Sequence, residues 1–340
     1  MIQYKIKGVH SIKKKRDKKR NKISFFIYLM YIIVFLVITT PILLFYGPYK
    51  GVRKVFVSTL LATRHAYLLE DIFSEDTLNK MVGAKVENVS NDEVDQDLSK
   101  IDISCTTGND IELYKDEEDK YVAYILEIKN PLKIKAVMTK HLGKMGQRTS
   151  EMAEEKNAIA AINGGAFTGN GENGGTASMP EGFVISEGKV IYTKDKYNET
   201  QKQNVVAFNK EGKLVVGYHS IKELKEINVQ EAMCFTERSI IVDGEKQIKD
   251  HLCGGYNPRT AVGQKADGTV IFLVIDGRKI TMPGATYYDV QEIMAKRGAV
   301  NVGVLDGGYS STMYYDGDVR NSPNAWDGER LVATAFYVEK

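Results

Sequence analysis

The residues best suited to chemistry lie where two strongly apolar segments each end in an Asp-Gly pair. Segment 270–275 leads into Asp276, and segment 300–305 leads into Asp306. A carboxylate at the end of a buried strand is costly unless a charge or a hydrogen-bond donor meets it. The chain has six Asp-Gly pairs, and the other four need be no more than hairpin turns. Asp276 and Asp306 are therefore the strongest candidates for site residues.

Small and hydroxyl-bearing residues follow the second of these carboxylates. The segment after Asp306 supplies two glycines and three hydroxyl groups, on Gly307, Gly308, Ser310, Ser311 and Thr312. This density suits a polyhydroxylated or phosphorylated ligand. A serine triad or a zinc site is a poor alternative, because the chain has five histidines, no Gly-x-Ser-x-Gly elbow and no His-x-x-x-His pair.

A glycine-rich segment begins at Asn163, directly after a predicted strand over 158–162. Eight glycines lie between positions 163 and 188. Glycines at this density let backbone amides approach a ligand, although a flexible surface loop is the plainer interpretation. The segment is neither a P-loop nor a dinucleotide fingerprint, because the required Gly-Lys-Ser/Thr and Gly-x-Gly-x-x-Gly patterns are absent.

Two arginines lie at the ends of a predicted hairpin that turns at Asp267-Gly268. Arg259 begins its first strand, and Arg278 follows its second strand. A guanidinium group binds phosphate or carboxylate through two parallel hydrogen bonds. The alternative is a structural role, with an ion pair from Arg278 to Asp276 or from Arg259 to Asp306.

Helices are predicted before the strands that carry these residues. Thr286 and Asp289 resemble a capping box, and Gly298 ends that helix just before the strand that leads to Asp306. A shorter helix opens near Thr149 and precedes the strand that ends at the glycine-rich segment. The pattern predicts an α+β globular domain built on a mixed β-sheet.

Taken together and in order, these motifs resemble those of the phosphodiester glycosidase family, over about residues 120–340. The matching segments are Asn163-Gly164-Gly165-Ala166-Phe167, Arg259-Thr260-Ala261-Val262-Gly263, Ile275-Asp276-Gly277-Arg278, Leu305-Asp306-Gly307-Gly308-Tyr309-Ser310-Ser311-Thr312-Met313 and Glu329-Arg330. Two departures bear on the shape of the sugar pocket: the family commonly has Phe at the position of Ala166 and a third Gly at the position of Tyr309.

The resemblance implies hydrolysis of the C1–O bond of a sugar-1-phosphodiester, similar to an N-acetylglucosamine phosphodiester. Phosphate leaves readily, so a strong general acid matters less than in an ordinary glycosidase, and cationic groups on the leaving phosphate matter more. By this resemblance Asp306 is the nucleophile or base, Asp276 orients, and Arg259 and Arg278 hold the phosphate. The implied substrate-binding residues are Asn163, Gly164, Gly165, Glu172, Thr260, Gly307, Gly308, Ser310, Ser311, Thr312 and Arg330. No cofactor is expected, and a structural Ca²⁺ in the acidic loops stays open.

The N-terminus carries a basic tail followed by an apolar run. Residues 1–24 hold ten Lys or Arg and one acid, and residues 25–46 hold no charge. Twenty-two residues suffice to cross a hydrocarbon core about 30 Å thick as a helix. The length favours a transmembrane helix over a cleavable signal peptide or a buried core helix. The positive-inside rule then predicts a cytoplasmic N-terminus and an extracytoplasmic remainder.

Composition limits the partners of the remainder. The chain totals 46 basic and 44 acidic residues, so residues 25–340 hold 36 bases and 43 acids, a net charge of −7. No nucleic-acid partner is expected, because a dense basic patch is missing outside the N-terminal tail. The expected order is a cytoplasmic tail (1–24), a transmembrane helix (25–46), a helical stalk and acidic linker (47–119) and the glycosidase-like domain (120–340).

Three cysteines are an odd set for an oxidising compartment. They are Cys105, Cys234 and Cys253, and the last two are the nearest pair in sequence. Both a disulfide between Cys234 and Cys253 and free buried thiols are compatible with the sequence.

The sequence thus predicts a membrane-anchored extracytoplasmic hydrolase acting on a sugar-1-phosphodiester of envelope or secreted glycan. One alternative is a non-catalytic glycan-binding or exopolysaccharide assembly factor with the same fold. Another is a phosphatase or nuclease that cuts the P–O bond and releases a sugar phosphate.

Overall fold

The structure is a computed structural model. It describes residues 9–61, 67–82, 95–104, 108, 110–169, 175–194, 198–236, 239–279, 282–323, 325 and 328–340. Glu172, Cys105, Asp327 and most of the predicted acidic linker lie outside the described residues.

Seven α-helices form within these residues. They are α1 (Val9–Tyr46), α2 (Lys50–Leu61), α3 (Tyr67–Glu70), α4 (Glu75–Val82), α5 (Thr149–Glu155), α6 (Ile221–Glu226) and α7 (Tyr287–Lys296). Residues 25–46 of α1 are long and apolar enough to cross a membrane, and none of this span is buried in the protein. Such a length and composition suit a membrane anchor and are also found in signal sequences.

Among the described residues the strands form three main sheets and one small hairpin, and their pairs are antiparallel. The seven-stranded sheet has the order β1 (Ile111–Glu117), β2 (Val122–Ile128), β15 (Val270–Asp276), β14 (Arg259–Lys265), β16 (Ala299–Leu305), β12 (Ile241–Val242), β13 (Glu245–Lys246). The sheet named here the β9 sheet has the order β10 (Leu214–His219), β9 (Gln203–Asn209), β11 (Val229–Cys234), β7 (Phe183–Ser186), β8 (Lys189–Thr193). The β4 sheet has the order β18 (Asp318–Val319), β17 (Met313–Tyr315), β4 (Ala160–Asn163), β19 (Thr334–Val338), β3 (Ile134–Met138). The hairpin pairs β5 (Phe167–Thr168) with β6 (Met179–Pro180).

One hydrophobic core joins the three sheets. Phe272 of the seven-stranded sheet, Phe208 of the β9 sheet and Phe336 of the β4 sheet are all buried in it. The rings of Phe208 and Phe336 meet edge to face, with centroids 5.8 Å apart. On the other side of each sheet one helix covers a smaller apolar cluster: α7, α6 and α5 respectively. The predicted α+β class is confirmed.

The globular part begins earlier in the chain than residue 120. Strand β1 pairs along its whole length with β2 at the edge of the seven-stranded sheet. Farther upstream, the Gln96 side chain donates to the carbonyl of Leu214 and accepts from the amide of Val216. Gln96 and strand β1 therefore contribute to the folded domain.

Several predicted elements form where the sequence places them. Strands β14 and β15 are the hairpin that turns at Asp267-Gly268. Thr286 and Asp289 make both bonds of a capping box at the start of α7. Asp316 and Gly317 both have positive φ, as a tight hairpin turn requires.

Candidate active site

The candidate site lies at one end of the seven-stranded sheet. Because β14 is antiparallel to β15 and β16, its first residue, Arg259, lies beside the last residues of both neighbours. The β4 sheet reaches the same place through Asn163, which ends β4. Asn163 Nδ2 donates to the carbonyl of Asp306 at 2.6 Å, and the Asp306 amide donates to the carbonyl of Gly164 at 3.1 Å. Two sheets are thus joined at the segment that carries Asp306.

The Asp306 carboxyl has an unusual proton affinity. Burial among protein atoms raises its pKa to about 6, from a usual value of 3.8. The Ser310 side chain, Arg330 and Arg278 oppose this increase, because a nearby donor or positive charge favours the ionised form. Such a combination of desolvation and charged partners is characteristic of functional carboxylates.

Arg278 is held beside this carboxyl by Asn257 and Tyr309. Its Nε and one terminal nitrogen both donate to Asn257 Oδ1, at 3.1 and 3.0 Å. The guanidinium carbon lies 4.5 Å from the ring centroid of Tyr309. Gly308 has φ of +63°, and a Cβ there would lie 3.0 Å from the guanidinium group of Arg278. The arginine and the Asp306 loop therefore pack closely against each other.

Arg330 approaches Asp306 from the loop before β19. Its guanidinium carbon lies 4.8 Å from the ring centroid of Phe167, and its charge lowers the pKa of Asp306. The preceding residue, Glu329, accepts hydrogen bonds from both the amide and the hydroxyl of Ser150 at the start of α5. Arg278 and Arg330 thus both act electrostatically on Asp306, and each stacks on an aromatic ring.

Arg259, which the resemblance assigns to phosphate, has a different environment. Its buried guanidinium group donates to the carbonyls of Ala285, Gly254 and Gly255. It also lies 3.9 Å above the ring of Tyr287. These contacts fasten the 254–257 loop to the start of α7.

Asp276 holds a neighbouring loop. Its two carboxylate oxygens accept hydrogen bonds from Asn321 Nδ2 and from the amide of Ser322, both at 2.8 Å. Asn321 in turn donates to the carbonyl of Ser311 and accepts from the amide of Met313. Asp276 therefore fixes the position of the hydroxyl-rich segment. Neither alternative ion pair, Arg278 with Asp276 or Arg259 with Asp306, forms between these described residues.

The amide and hydroxyl groups of the predicted site divide into two sets. Asn163 Oδ1 accepts from Thr260 Oγ1 at 2.7 Å and from the amide of Thr312 at 3.1 Å, and Thr260 Oγ1 also contacts Ser311 Oγ at 3.3 Å. These groups are satisfied within the protein. The hydroxyl oxygen of Thr312 is buried without a hydrogen-bond partner, whereas the Ser310 hydroxyl interacts with the Asp306 carboxyl and lowers its pKa. Thr312 is therefore the hydroxyl of this segment that a ligand could use.

The glycines of the first motif serve close packing. The amides of Gly164 and Gly165 donate to the carbonyl and the hydroxyl of Thr334. A Cβ at Gly165 would lie 2.0 Å from the carbonyl oxygen of Cys234, which no side chain can accommodate. Gly307 packs in the same way against the carbonyl of Pro258.

Metal and disulfide chemistry receive no support from the described part of the chain. No group of three or more His, Cys, Asp or Glu side chains among its residues is placed to hold a metal ion. Cys234 and Cys253 are not bridged, and burial raises the pKa of the Cys234 thiol to about 12.

Sequence reasoning missed two residues that hold the site together, Asn257 and Asn321. Asn257 lies two positions before Arg259, where an Asn-Pro pair suggests only a turn. Asn321 lies ten positions beyond Ser311, and nothing in the local sequence links it to Asp276.

The fold agrees with comparisons to known proteins. The chain belongs to the phosphodiester glycosidase family, whose model matches residues 156–339, just over half of the chain. It is similar to the SPbeta prophage-derived uncharacterized protein YomE of Bacillus subtilis (strain 168), with 28% identity over 199 residues, 55% of this chain and 29% of that protein. It is also similar to N-acetylglucosamine-1-phosphodiester alpha-N-acetylglucosaminidase of Bos taurus, with 25% identity over 196 residues, 50% of this chain and 36% of that enzyme. The chain thus spans about a third of the length of these relatives.

A solved structure shares the fold. It is the catalytic domain of zebrafish N-acetylglucosamine-1-phosphodiester alpha-N-acetylglucosaminidase, auto-inhibited by its pro-peptide. The TM-score is 0.59 with 18% sequence identity, over 71% of this chain and 86% of that chain.

Proposed function

We propose that this chain hydrolyses the C1–O bond of a sugar-1-phosphodiester in envelope or secreted glycan, with Asp306 as the catalytic carboxylate. The observation that carries the proposal is a half-buried carboxyl whose desolvation raises its pKa to about 6, under the influence of two arginines. A site for a neutral glycan would have little use for two guanidinium groups beside its carboxylate. A phosphorylated sugar uses both features, because positive charge stabilises the departing phosphate while the carboxylate acts at C1.

The phosphate site in this proposal consists of Arg278 and Arg330. Arg259 has its guanidinium group bonded to three backbone carbonyls, so its contribution is to support the 254–257 loop. The buried hydroxyl of Thr312 supplies a polar contact to a sugar or phosphate oxygen, and Ser310 supports the Asp306 carboxylate.

In the reaction the C1–O bond breaks and its electron pair leaves with the phosphate oxygen. Arg278 and Arg330 stabilise the negative charge that develops there. Asp306 either attacks C1 or removes a proton from the water that attacks C1. Free sugar and a phosphate monoester are the products in both cases, and the anomer first released distinguishes the two roles.

The proposal includes a location. Residues 25–46 anchor the chain in a membrane, and the basic tail before them keeps the N-terminus in the cytoplasm. The hydrolase domain then faces glycan outside the cytoplasm.

The decisive experiment is product analysis on a panel of sugar phosphodiesters and nucleoside-diphosphate sugars in ¹⁸O-labelled water. Cleavage of C1–O gives free sugar and a phosphate product without ¹⁸O. Cleavage of either P–O bond places ¹⁸O on a phosphate product, whether free sugar or a sugar phosphate is released, and would contradict the proposal. Tight binding of the same compounds with no turnover would support the glycan-binding or exopolysaccharide assembly alternative.

A further inference from the structure

We infer that helix α2 lies along the surface of the bilayer that α1 spans, with an apolar stripe of Tyr49, Val52 and Phe56 among anionic lipids. The inference rests on the proposed membrane anchor and concerns a surface that the hydrolase site does not use. Its support comes from chain reversal, exposure and charge at the end of α1.

The chain turns back after α1, so that α2 lies beside the end of the membrane-spanning helix. The rings of Phe45 and Phe56 have centroids 6.1 Å apart. In a continuous helix, eleven positions would separate these residues by about 16 Å along the axis. Arg53 fixes the reversal by donating to the carbonyls of Phe45 and Gly47 at 2.8 and 3.2 Å. The first half of α2 therefore stays near the membrane boundary.

The two faces of α2 differ in their contacts. Val57 is buried and packs with Leu69 and Leu78 in a small cluster formed by α2, α3 and α4. The side chains of Tyr49, Val52 and Phe56 are 57%, 61% and 41% exposed. Tyr49 directly precedes α2, and the spacing of three and four positions aligns the three residues in one stripe. Apart from the contact of the Phe56 ring with Phe45, no contact among the described residues covers the stripe.

Charge identifies the occupant of this stripe. Helix α2 contains Lys50, Arg53 and Lys54 and no acidic residue, so it is basic even though Arg53 is bonded to the end of α1. A basic amphipathic helix beside a membrane binds anionic headgroups with its cations and acyl chains with its apolar face. The stripe begins just after the apolar span of residues 25–46, which lipid surrounds in the proposed anchor.

Tryptophan fluorescence in vesicles tests the inference on the full-length chain. The native tryptophan is removed as Trp326→Phe, and one tryptophan is then introduced by Val52→Trp, Phe35→Trp or Asp76→Trp. Phe35 is near the middle of the span, and Asp76 is an exposed residue of α4. The vesicles contain phosphatidylglycerol and phosphatidylcholine with bromines at shallow or deep positions of the acyl chains.

Shallow bromines should quench Val52→Trp most, deep bromines should quench Phe35→Trp most, and Asp76→Trp should show little quenching. Replacing phosphatidylglycerol by phosphatidylcholine should decrease the quenching of Val52→Trp and leave Phe35→Trp unchanged. The inference fails if Val52→Trp behaves like Asp76→Trp while Phe35→Trp is quenched. It also fails if Val52→Trp shows a blue-shifted emission without bromine quenching, because protein then covers the stripe. Loss of quenching at Phe35→Trp would instead overturn the membrane anchor.

Discussion

Asp306 differs from the other Asp-Gly carboxylates because protein atoms and two arginines surround it. Asp316 lies in an exposed hairpin turn, whereas burial raises the pKa of Asp306 to about 6. A carboxylate with this pKa is mainly ionised at pH 7 and can accept a proton efficiently near neutral pH.

The pH dependence of activity should follow this carboxyl. If Asp306 acts as nucleophile or base, kcat/KM should be constant above pH 7 and fall about tenfold per unit well below pH 6. The measurement is a pH profile of free-sugar release with a substrate whose phosphate does not titrate in this range.

The arginines should set the midpoint of that profile. Arg330→Gln and Arg278→Gln each remove a positive charge that lowers the pKa of Asp306, so the acid limb should move to higher pH. Arg320→Gln is a matched control, since Arg320 bonds to the carbonyl of Tyr315 outside the site. If the midpoint of the pH profile is unchanged in both site variants, the ionisation of Asp306 does not cause the acid limb.

Asp306→Asn should abolish turnover. It should also change how the free energy of unfolding depends on pH. Burying the charge costs nothing below about pH 3.8, where the carboxyl is protonated in both states. The cost grows between pH 3.8 and about 6 and is complete above that range, because the folded pKa lies above the unfolded pKa. The stability of Asp306→Asn relative to the parent should therefore increase through this window. Thermal unfolding at several pH values measures this increase, with Asp316→Asn as control. If Asp306→Asn is instead less stable at pH 7 and keeps activity in proportion to its folded fraction, Asp306 has a structural role.

Two arginine substitutions should have different consequences. Arg278→Lys should decrease kcat by about 10²- to 10³-fold with little change in Tm, because lysine cannot reproduce the guanidinium fork on a phosphate. Arg259→Lys should mainly lower Tm, because it breaks bonds to three carbonyls and the stacking on Tyr287. Steady-state kinetics and thermal unfolding of both variants give the comparison. A normal Tm with strongly reduced kcat in Arg259→Lys would contradict the structural role and indicate that Arg259 binds the phosphate.

At the scale of elements, the loop before β14 connects two arginines. Arg259 fastens residues 254 and 255, and Asn257 of the same loop holds Arg278. Arg278 is thus positioned by the β14–β15 hairpin, which it follows in sequence, and also by Asn257 of the loop before β14.

Asn257→Ala should lower kcat/KM, on the order of 10²-fold, by releasing the guanidinium group of Arg278 from its position. The acid limb of the pH profile should also shift upward, because a displaced Arg278 no longer lowers the pKa of Asp306 as strongly. Kinetics across pH provide the test. A fall in Tm without a shift of the limb would mean that Asn257 supports only the fold.

At the scale of the molecule, the charge asymmetry around residues 25–46 predicts which side of the membrane holds the folded domain. Protease added to intact cells or spheroplasts should remove the domain after residue 46, because the +9 tail of residues 1–24 remains in the cytoplasm. Immunoblotting of tail and domain epitopes measures this, with a cytoplasmic protein as control. Protection of the domain, or its release as a soluble form cleaved near residue 46, would contradict the topology.

Local sequence patterns determined the elements of this protein and the family to which it belongs. The apolar run at 25–46, the α7 capping box and the β14–β15 hairpin depend on contacts within about twenty residues, so periodicity and turn chemistry suffice to predict them. The ordered motifs likewise identified the phosphodiester glycosidase family.

Only the tertiary structure decided what each polar side chain of the motifs contacts. Arg259 and Arg278 look equivalent as hairpin ends, yet one is held by three carbonyls and the other lies near Asp306. Asn163 meets Thr260 across 97 positions, and Asp276 meets Asn321 across 45. The physical reason is that hydrogen bonds and desolvation depend on distance in space, and the packing of three sheets brings together residues whose separation along the chain carries no signal.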